Sequence, residues 1–239
     1  MRIGILETGE VSPELRNIHG SYGEMFQNLI SEIYRSSSFK KINIIEGQFP
    51  NNQLDADLWV ITGSKYGVYD RLSWINPLKK FILSCVGKNV PVFGVCFGHQ
   101  ILAEALGGKV KKFQGGWGLG VHKYEIVKSL HWTQLMGKSF SSYAIHQDQI
   151  VTPPEDSINV AKSDFCNFAL LAYGNIDRPY AISIQSHPEI SSQYLSDLIK
   201  RRRQENVFPT NTADLALKTL KYKVDNKIIT GSILKALCL

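Results

Sequence analysis

Residues 91–108 read Pro91-Val92-Phe93-Gly94-Val95-Cys96-Phe97-Gly98-His99-Gln100-Ile101-Leu102-Ala103-Glu104-Ala105-Leu106-Gly107-Gly108. The first five form a short apolar run, the length of a buried strand rather than a helix. From Phe97 the period changes. Ile101, Leu102, Ala105 and Leu106 recur at helical spacing until the glycine pair ends the segment. A buried strand therefore passes into a helix at Cys96. Gly94 and Gly98 carry no Cβ, so the turn can be tight and neighbouring backbone can approach closely. This is the strand–turn–helix setting of a nucleophile elbow, with cysteine in the nucleophile's place. The N–H groups and dipole at a helix start also favour a thiolate. Gly-x-Cys-x-Gly alone describes equally well a buried cysteine between two close-packing glycines.

Upstream, residues 2–6, 41–46 and 57–61 read as strands, and 22–34 and 74–86 read as helices with one apolar side. Strands alternating with helices imply a parallel sheet covered on both faces. Downstream the texture changes. Residues 109–113, 120–127, 142–146, 157–161, 168–173 and 180–184 are short strand candidates separated by turns, an antiparallel elaboration of the same sheet. Helical patterns follow over 190–205 and 210–222. The predicted fold is α/β: an open, mostly parallel sheet with helices on both faces, a nucleophile elbow, extra antiparallel strands and a helical C-terminal extension.

Composition narrows the function. The chain has 239 residues, 44% hydrophobic and 10% aromatic, enough to bury a substantial core and too much for disorder. No apolar run approaches the roughly 20 residues of a membrane span. The N-terminus carries one basic residue and turns acidic at Glu7, unlike a signal peptide, so a cytoplasmic protein is expected. The net charge of +6 invites a nucleic-acid reading, but its distribution argues otherwise. Residues 190–239 hold nine Lys/Arg against four Asp/Glu, so the excess is almost wholly C-terminal. Its densest part, Lys200-Arg201-Arg202-Arg203, has no interleaved aromatics for base stacking and suits a solvated helix end. Nucleic acid is thus not the expected partner, and the extension reads instead as a docking or oligomerisation surface. Cys85, Cys96, Cys166 and Cys238 contain no Cys-x-x-Cys pair, and no cluster has metal-ligand spacing. No Walker-type phosphate loop is present, and no metal or cofactor is expected.

A nucleophilic thiol needs a base, and the base an orienting group. His187-Pro188-Glu189 directly follows the strand candidate 180–184. Pro188 biases His187 toward an extended conformation, in which residues two apart project to one side. Glu189 could then hold one imidazole nitrogen while the other faces Cys96. Taken alone, the tripeptide is equally a turn. Its pairing with a cysteine elbow, each at the end of a strand, is what gives it weight, because reactive groups in open α/β sheets gather at that edge.

Gly94-Val95-Cys96-Phe97-Gly98-His99-Gln100, with Leu102-Ala103 and Leu106-Gly107-Gly108, resembles the nucleophile segment of class I glutamine amidotransferases. Ser186-His187-Pro188-Glu189 is similar to that family's second signature, and the order and 91-residue separation of Cys96 and His187 also fit. The resemblance covers residues 1 to about 190 and looks most like stand-alone members that resemble the amidotransferase half of GMP synthetase. It implies a catalytic Cys96, His187 and Glu189, with hydrolysis of the glutamine side-chain amide through a γ-glutamyl thioester. It also implies an oxyanion hole from the N–H groups of Phe97 and of Gly63 or Ser64. The family's usual Gly-Gly-Pro type loop is here Thr62-Gly63-Ser64, which leaves the second donor open. Gln100, Gln185, Ser64 and His146 are the implied substrate-binding residues, with His146 read first as a structural histidine. His99 reads as packing or supporting hydrogen bonding, and Asp70, Arg71 and Trp74 as pocket-shaping residues.

Three functions compete. The first is glutamine hydrolysis that supplies ammonia to a synthetase in trans, since residues 191–239 are too few to be one. The second is a free-standing γ-glutamyl peptide or amide hydrolase using the same chemistry. The third is a non-enzymatic scaffold with a basic binding tail. Residues 1–190 are expected to form the amidotransferase-like domain, with 191–239 as a basic helical extension packed on it.

Overall fold

A computed structural model describes residues 1–238. Its main sheet has nine strands: β1 (Arg2–Glu7), β2 (Ser38–Asn43), β3 (Leu58–Ile61), β4 (Val92–Val95), β6 (Gly118–Ile126), β7 (Ser139–His146), β9 (Ser157–Lys162), β10 (Leu170–Gly174) and β11 (Pro179–Ile184). A separate two-stranded antiparallel sheet pairs β5 (Lys109–Lys112) with β8 (Asp148–Thr152). The strand order of the main sheet is β2-β1-β3-β4-β11-β10-β9-β6-β7. The first five strands of that order are parallel, and the other four continue the sheet by antiparallel pairing. The predicted α/β architecture is the observed one, and β7 forms one edge.

The helices are α1 (Pro13–His19), α2 (Tyr22–Ile33), α3 (Ile75–Gly87), α4 (Phe97–Ala105), α5 (Ser192–Gln204), α6 (Thr210–Thr219) and α7 (Asn226–Cys238). The short parallel strands are apolar at successive positions because both faces are covered. Along β3, Leu58 and Val60 point to one face and Trp59 and Ile61 to the other. Phe26 and Ile30 of α2, with Ile229, Ile233 and Leu234 of α7, cover the first face. Leu78 and Ile82 of α3, with Ile101 and Leu102 of α4, cover the second. A fully buried Ile or Leu is worth about 2 kcal/mol over an exposed one. The exposed Lys227–Glu32 pair between α7 and α2 is worth at most about 1 kcal/mol. Apolar burial, not charge, therefore holds α7 in place.

Several boundaries differ from expectation. The strand expected over 41–46 instead spans Ser38–Asn43, in parallel register with Arg2–Glu7. Ile44–Glu46 turn into a 3-10 segment that ends at Gly47 in the left-handed region. Helices α1 and α7 and strand β8 are not marked by periodicity, and β7 begins three residues earlier than its apolar pattern predicts.

Three of the four residues in the basic run are committed within the chain. Arg201 pairs with Glu14 and Glu205, Arg202 with Glu205, and Arg203 with Asp214. These bonds tie α5 to α1 and α6. α5 and α6 share an apolar cluster with Leu15 of α1 and Leu119 of β6. No helix of the described residues is long and apolar enough to cross a membrane.

Candidate active site

Cys96 lies between the carboxyl end of β4 and the first turn of α4, at φ 53° and ψ −103°. A non-glycine residue at positive φ is uncommon and costs on the order of 1–3 kcal/mol, which the surroundings must supply. They do so by close approach. A Cβ on Gly94 would lie 2.4 Å from Gly98 O, and one on Gly98 would lie 2.2 Å from Ile61 O. Both glycines are thus sterically required. The Cys96 N–H donates to Ile184 O of β11 at 2.9 Å, and Cys96 O accepts from Gln100 N–H at 3.0 Å. The elbow is therefore fixed to both the neighbouring strand and its own helix. The other three cysteines are held as thiols by burial: Cys85 and Cys166 are pushed up to about 12, and Cys238 to about 11.

His187 and Glu189 follow β11 and meet as the spacing predicts. His187 Nδ1 donates to Glu189 Oε1 at 2.6 Å, and the Glu189 side chain is fully buried. Burial by itself would push the imidazole down. The Glu189 carboxylate and the neighbouring Cys96 outweigh it and hold His187 well above the usual histidine value. His187 is thus a ready proton acceptor, with Nδ1 committed to Glu189. Gly63 closes the other side: a Cβ there would lie 2.8 Å from His187 Cε1 and 3.6 Å from Cys96 Cβ. The loop after β3 therefore approaches the thiol and the imidazole together. Phe97 is the first residue of α4, where the N–H precedes the intrahelical bonds. Trp74 packs against Phe97 at 5.5 Å between rings and Tyr66 at 6.0 Å, and Asp70 accepts the Gly67 N–H at 2.9 Å. Arg71 is exposed.

Gln100 and Gln185 are adjacent and buried. Gln100 Nε2 donates to Gln185 Oε1 at 3.1 Å and to Asp148 O at 3.0 Å, while Gln185 Nε2 has no protein acceptor. His146 Nδ1 donates to the same Asp148 carbonyl at 3.2 Å, so its Nε2 carries a bare lone pair, and that atom has no partner. Burial lowers His146 to about 3 and His99 to about 4, so both rings are neutral. His99 is spent on Ser183 Oγ and Phe168 O, in line with its reading as supporting structure. Ser64 Oγ accepts the Tyr66 N–H at 3.2 Å and so closes its own loop.

The structure adds residues that motif reading misses. Tyr143 of β7 pairs with His187, its carbonyl accepting the His187 N–H at 2.8 Å. Ile145 O faces Cys96 Sγ at 3.8 Å. Tyr69 donates to Asp148 Oδ2 at 2.8 Å, linking the loop after β3 to the start of β8. Tyr194 donates to Tyr22 at 2.9 Å. Tyr22 lies close enough to the site to feel His187, Glu189 and Cys96, although burial is what chiefly raises its phenol. The two backbone contacts carry no side-chain signal, so only the placement of β7 could have found them.

Comparison with known proteins fits this geometry. The chain is similar to gamma-glutamyl peptidase 3 of Arabidopsis thaliana, 26% identical over 92% of this chain and 90% of that protein. It is also similar to the glutamine-hydrolyzing GMP synthase subunit of Methanosphaera stadtmanae, 27% identical over 65% of this chain and 81% of that one. Its fold matches a glutamine amidotransferase from Thermotoga maritima with a TM-score of 0.79, at 20% identity over 98% of this chain and 96% of that one. The family model for glutamine amidotransferase class-I matches residues 19–205, so the chain belongs to the class-I glutamine amidotransferase family.

Proposed function

We propose that the protein hydrolyses γ-glutamyl amide bonds through a thioester on Cys96. The observation that carries this reading is the buried His187–Glu189 hydrogen bond beside a cysteine held at positive φ at a helix start. Cys96 Sγ attacks the γ-carbonyl carbon, and His187 takes up the thiol proton. The charge that develops on the carbonyl oxygen meets the Phe97 and Gly63 N–H groups. As the C–N bond breaks, His187 gives the proton to the departing amine. Water then attacks the thioester, His187 takes its proton, and the γ-carboxylate leaves as the thiol is restored. Glu189 holds the ring in orientation throughout. Gln100, Gln185, His146 and Ser64 are the substrate-contacting set, in which Gln185 Nε2 is a free buried donor and His146 Nε2 a free buried acceptor. In this reading residues 1–190 are the catalytic domain and 191–239 a helical extension packed on it, of which residue 239 lies outside the described residues.

Two substrate classes share this chemistry. The similarity to a γ-glutamyl peptidase over nine-tenths of both chains favours a free-standing γ-glutamyl peptide hydrolase. The similarity to a glutamine-hydrolyzing GMP synthase subunit favours glutamine as substrate, with ammonia passed to a synthetase in trans. The chemistry is tested by labelling with an electrophilic glutamine analogue. We expect one modified cysteine in the wild type and none in Cys96→Ala, whose turnover falls by roughly a thousandfold or more. Labelling that survives the substitution overturns the assignment. kcat/KM compared across glutamine and γ-glutamyl dipeptides then separates the two classes.

A further inference from the structure

β7 is an edge strand, and its outer edge is occupied at every second residue. In an antiparallel edge strand, alternate residues turn both backbone groups away from the neighbouring strand. In β7 these outward residues include Ser141, Tyr143 and Ile145. Ser141 N–H donates to Asp225 Oδ2 at 2.9 Å, and Ser141 O accepts from Asp225 N–H at 2.8 Å. Tyr143 O accepts from His187 N–H at 2.8 Å. Ile145 O faces the Cys96 thiol at 3.8 Å. One edge thus meets the start of α7, the proposed base and the proposed nucleophile in steps of about 6.8 Å.

Asp225 sits where α7 begins, since its carbonyl accepts the Ile229 N–H at 3.0 Å. An aspartate at that position ordinarily caps its own helix. Here Oδ2 is spent on a residue 84 positions away. Asn226 adds a buried bond, accepting from Ser142 Oγ at 3.0 Å. A cleft of about 390 Å³, bordered by Tyr143, Pro188, Glu189, Tyr194, Val224 and Asn226, lies against this joint. β6 holds the inner edge of β7 from Ser139 to His146, and the bonds to Asp225 and Asn226 fix it from the α7 side.

We infer that Asp225, assisted by Asn226, is a positioning residue for the reaction: it anchors β7 so that its outer edge spaces the His187 backbone from the Cys96 thiol. The inference rests on the roles proposed for Cys96 and His187. Asp225 touches neither the thiol nor the imidazole and acts through β7.

The test uses the full chain with Asp225→Ala, Asp225→Asn and Ser142→Ala. Turnover of a γ-glutamyl dipeptide is measured at a temperature where each variant is folded. The His187 Cε1–H titration is followed by NMR, with Glu189, Cys96, Tyr22 and His146 as the titratable groups that face it. Asp225→Ala is expected to lower kcat roughly tenfold with KM within about twofold, because small misplacement of reacting groups costs rate rather than binding. Its His187 midpoint should fall, as the ring loses contact with Glu189 and Cys96. Asp225→Asn keeps an oxygen acceptor and should restore both values, and Ser142→Ala should give a smaller shift in the same direction. A lowered melting temperature with unmoved kcat and an unmoved His187 midpoint overturns the inference. A wild type that turns over no γ-glutamyl substrate overturns the proposed function instead, and the His187 titration still decides the role of Asp225.

Discussion

The parallel and antiparallel parts of the sheet reach the candidate site by different means. From β3, β4 and β11 the site receives side chains and tight turns at strand carboxyl ends: Gly63, the Cys96 elbow, and His187 with Glu189. From β7 it receives backbone carbonyls, Tyr143 O on the His187 N–H and Ile145 O opposite the Cys96 thiol. The first kind of contribution depends on residue identity at a few positions. The second depends on where a strand lies, which many residues together decide. A substitution in the parallel part should therefore act sharply and locally, and one on the outer helices of the antiparallel part weakly.

After the loss of Cys96 itself, Glu189→Gln should show the largest effect, roughly a hundredfold or more in kcat, because the imidazole loses its charged orienting partner. Its pH dependence has a definite sign. Glu189 helps hold His187 above its ordinary value, so removing the carboxylate lowers the His187 value. Proton delivery to the leaving amine then fails at a lower pH, and the alkaline limb of the kcat profile moves down. An unmoved limb would mean that another group supplies the proton. Next in size is Gly98→Ala, whose Cβ would meet the Ile61 carbonyl oxygen at 2.2 Å. Backbone cannot yield as a flexible side chain can, so a loss of about 3 kcal/mol is expected in chemical denaturation. A loss below about 1 kcal/mol would show that the elbow tolerates displacement. The smallest effect belongs to Arg203→Ala, which removes the half-exposed pair with Asp214 between α5 and α6. Stability should change by less than about 1 kcal/mol and turnover within about twofold. A larger change in turnover would show that the antiparallel part couples to the site through charge as well as through β7.

Legibility follows the same division. The elbow can be read because a strand, two glycines and a helical period lie within a dozen residues, and His187-Pro188-Glu189 because an extended tripeptide projects its first and third side chains together. Gln100 and Gln185 come from separate motifs and meet through one hydrogen bond. The second strand departs from its expected span because Ile44 and Ile45 extend an apolar pattern, whereas its pairing with β1 ends at Asn43. α7 does not stand out in the sequence because Thr230, Gly231 and Ser232 are weaker helix formers than Ala or Leu, and packing against the sheet outweighs that. The run 200–203 looks like a free basic surface because ion pairing to Glu14 and Asp214 depends on tertiary proximity.

The alternation of strands and helices, the sharp turn at Cys96 and the His187–Glu189 pairing follow from the residues alone. Each depends on the chemistry of near neighbours in the chain, which composition and spacing record. Three-dimensional packing was needed to close the loop at Gly63 on His187, to lay β7 along both Cys96 and His187, and to bond Asp225 to Ser141 rather than to its own helix. Those contacts join segments far apart in the chain, most of them through backbone atoms that every residue type carries. Their partners are therefore chosen by the packing of the whole sheet and leave no mark on local sequence.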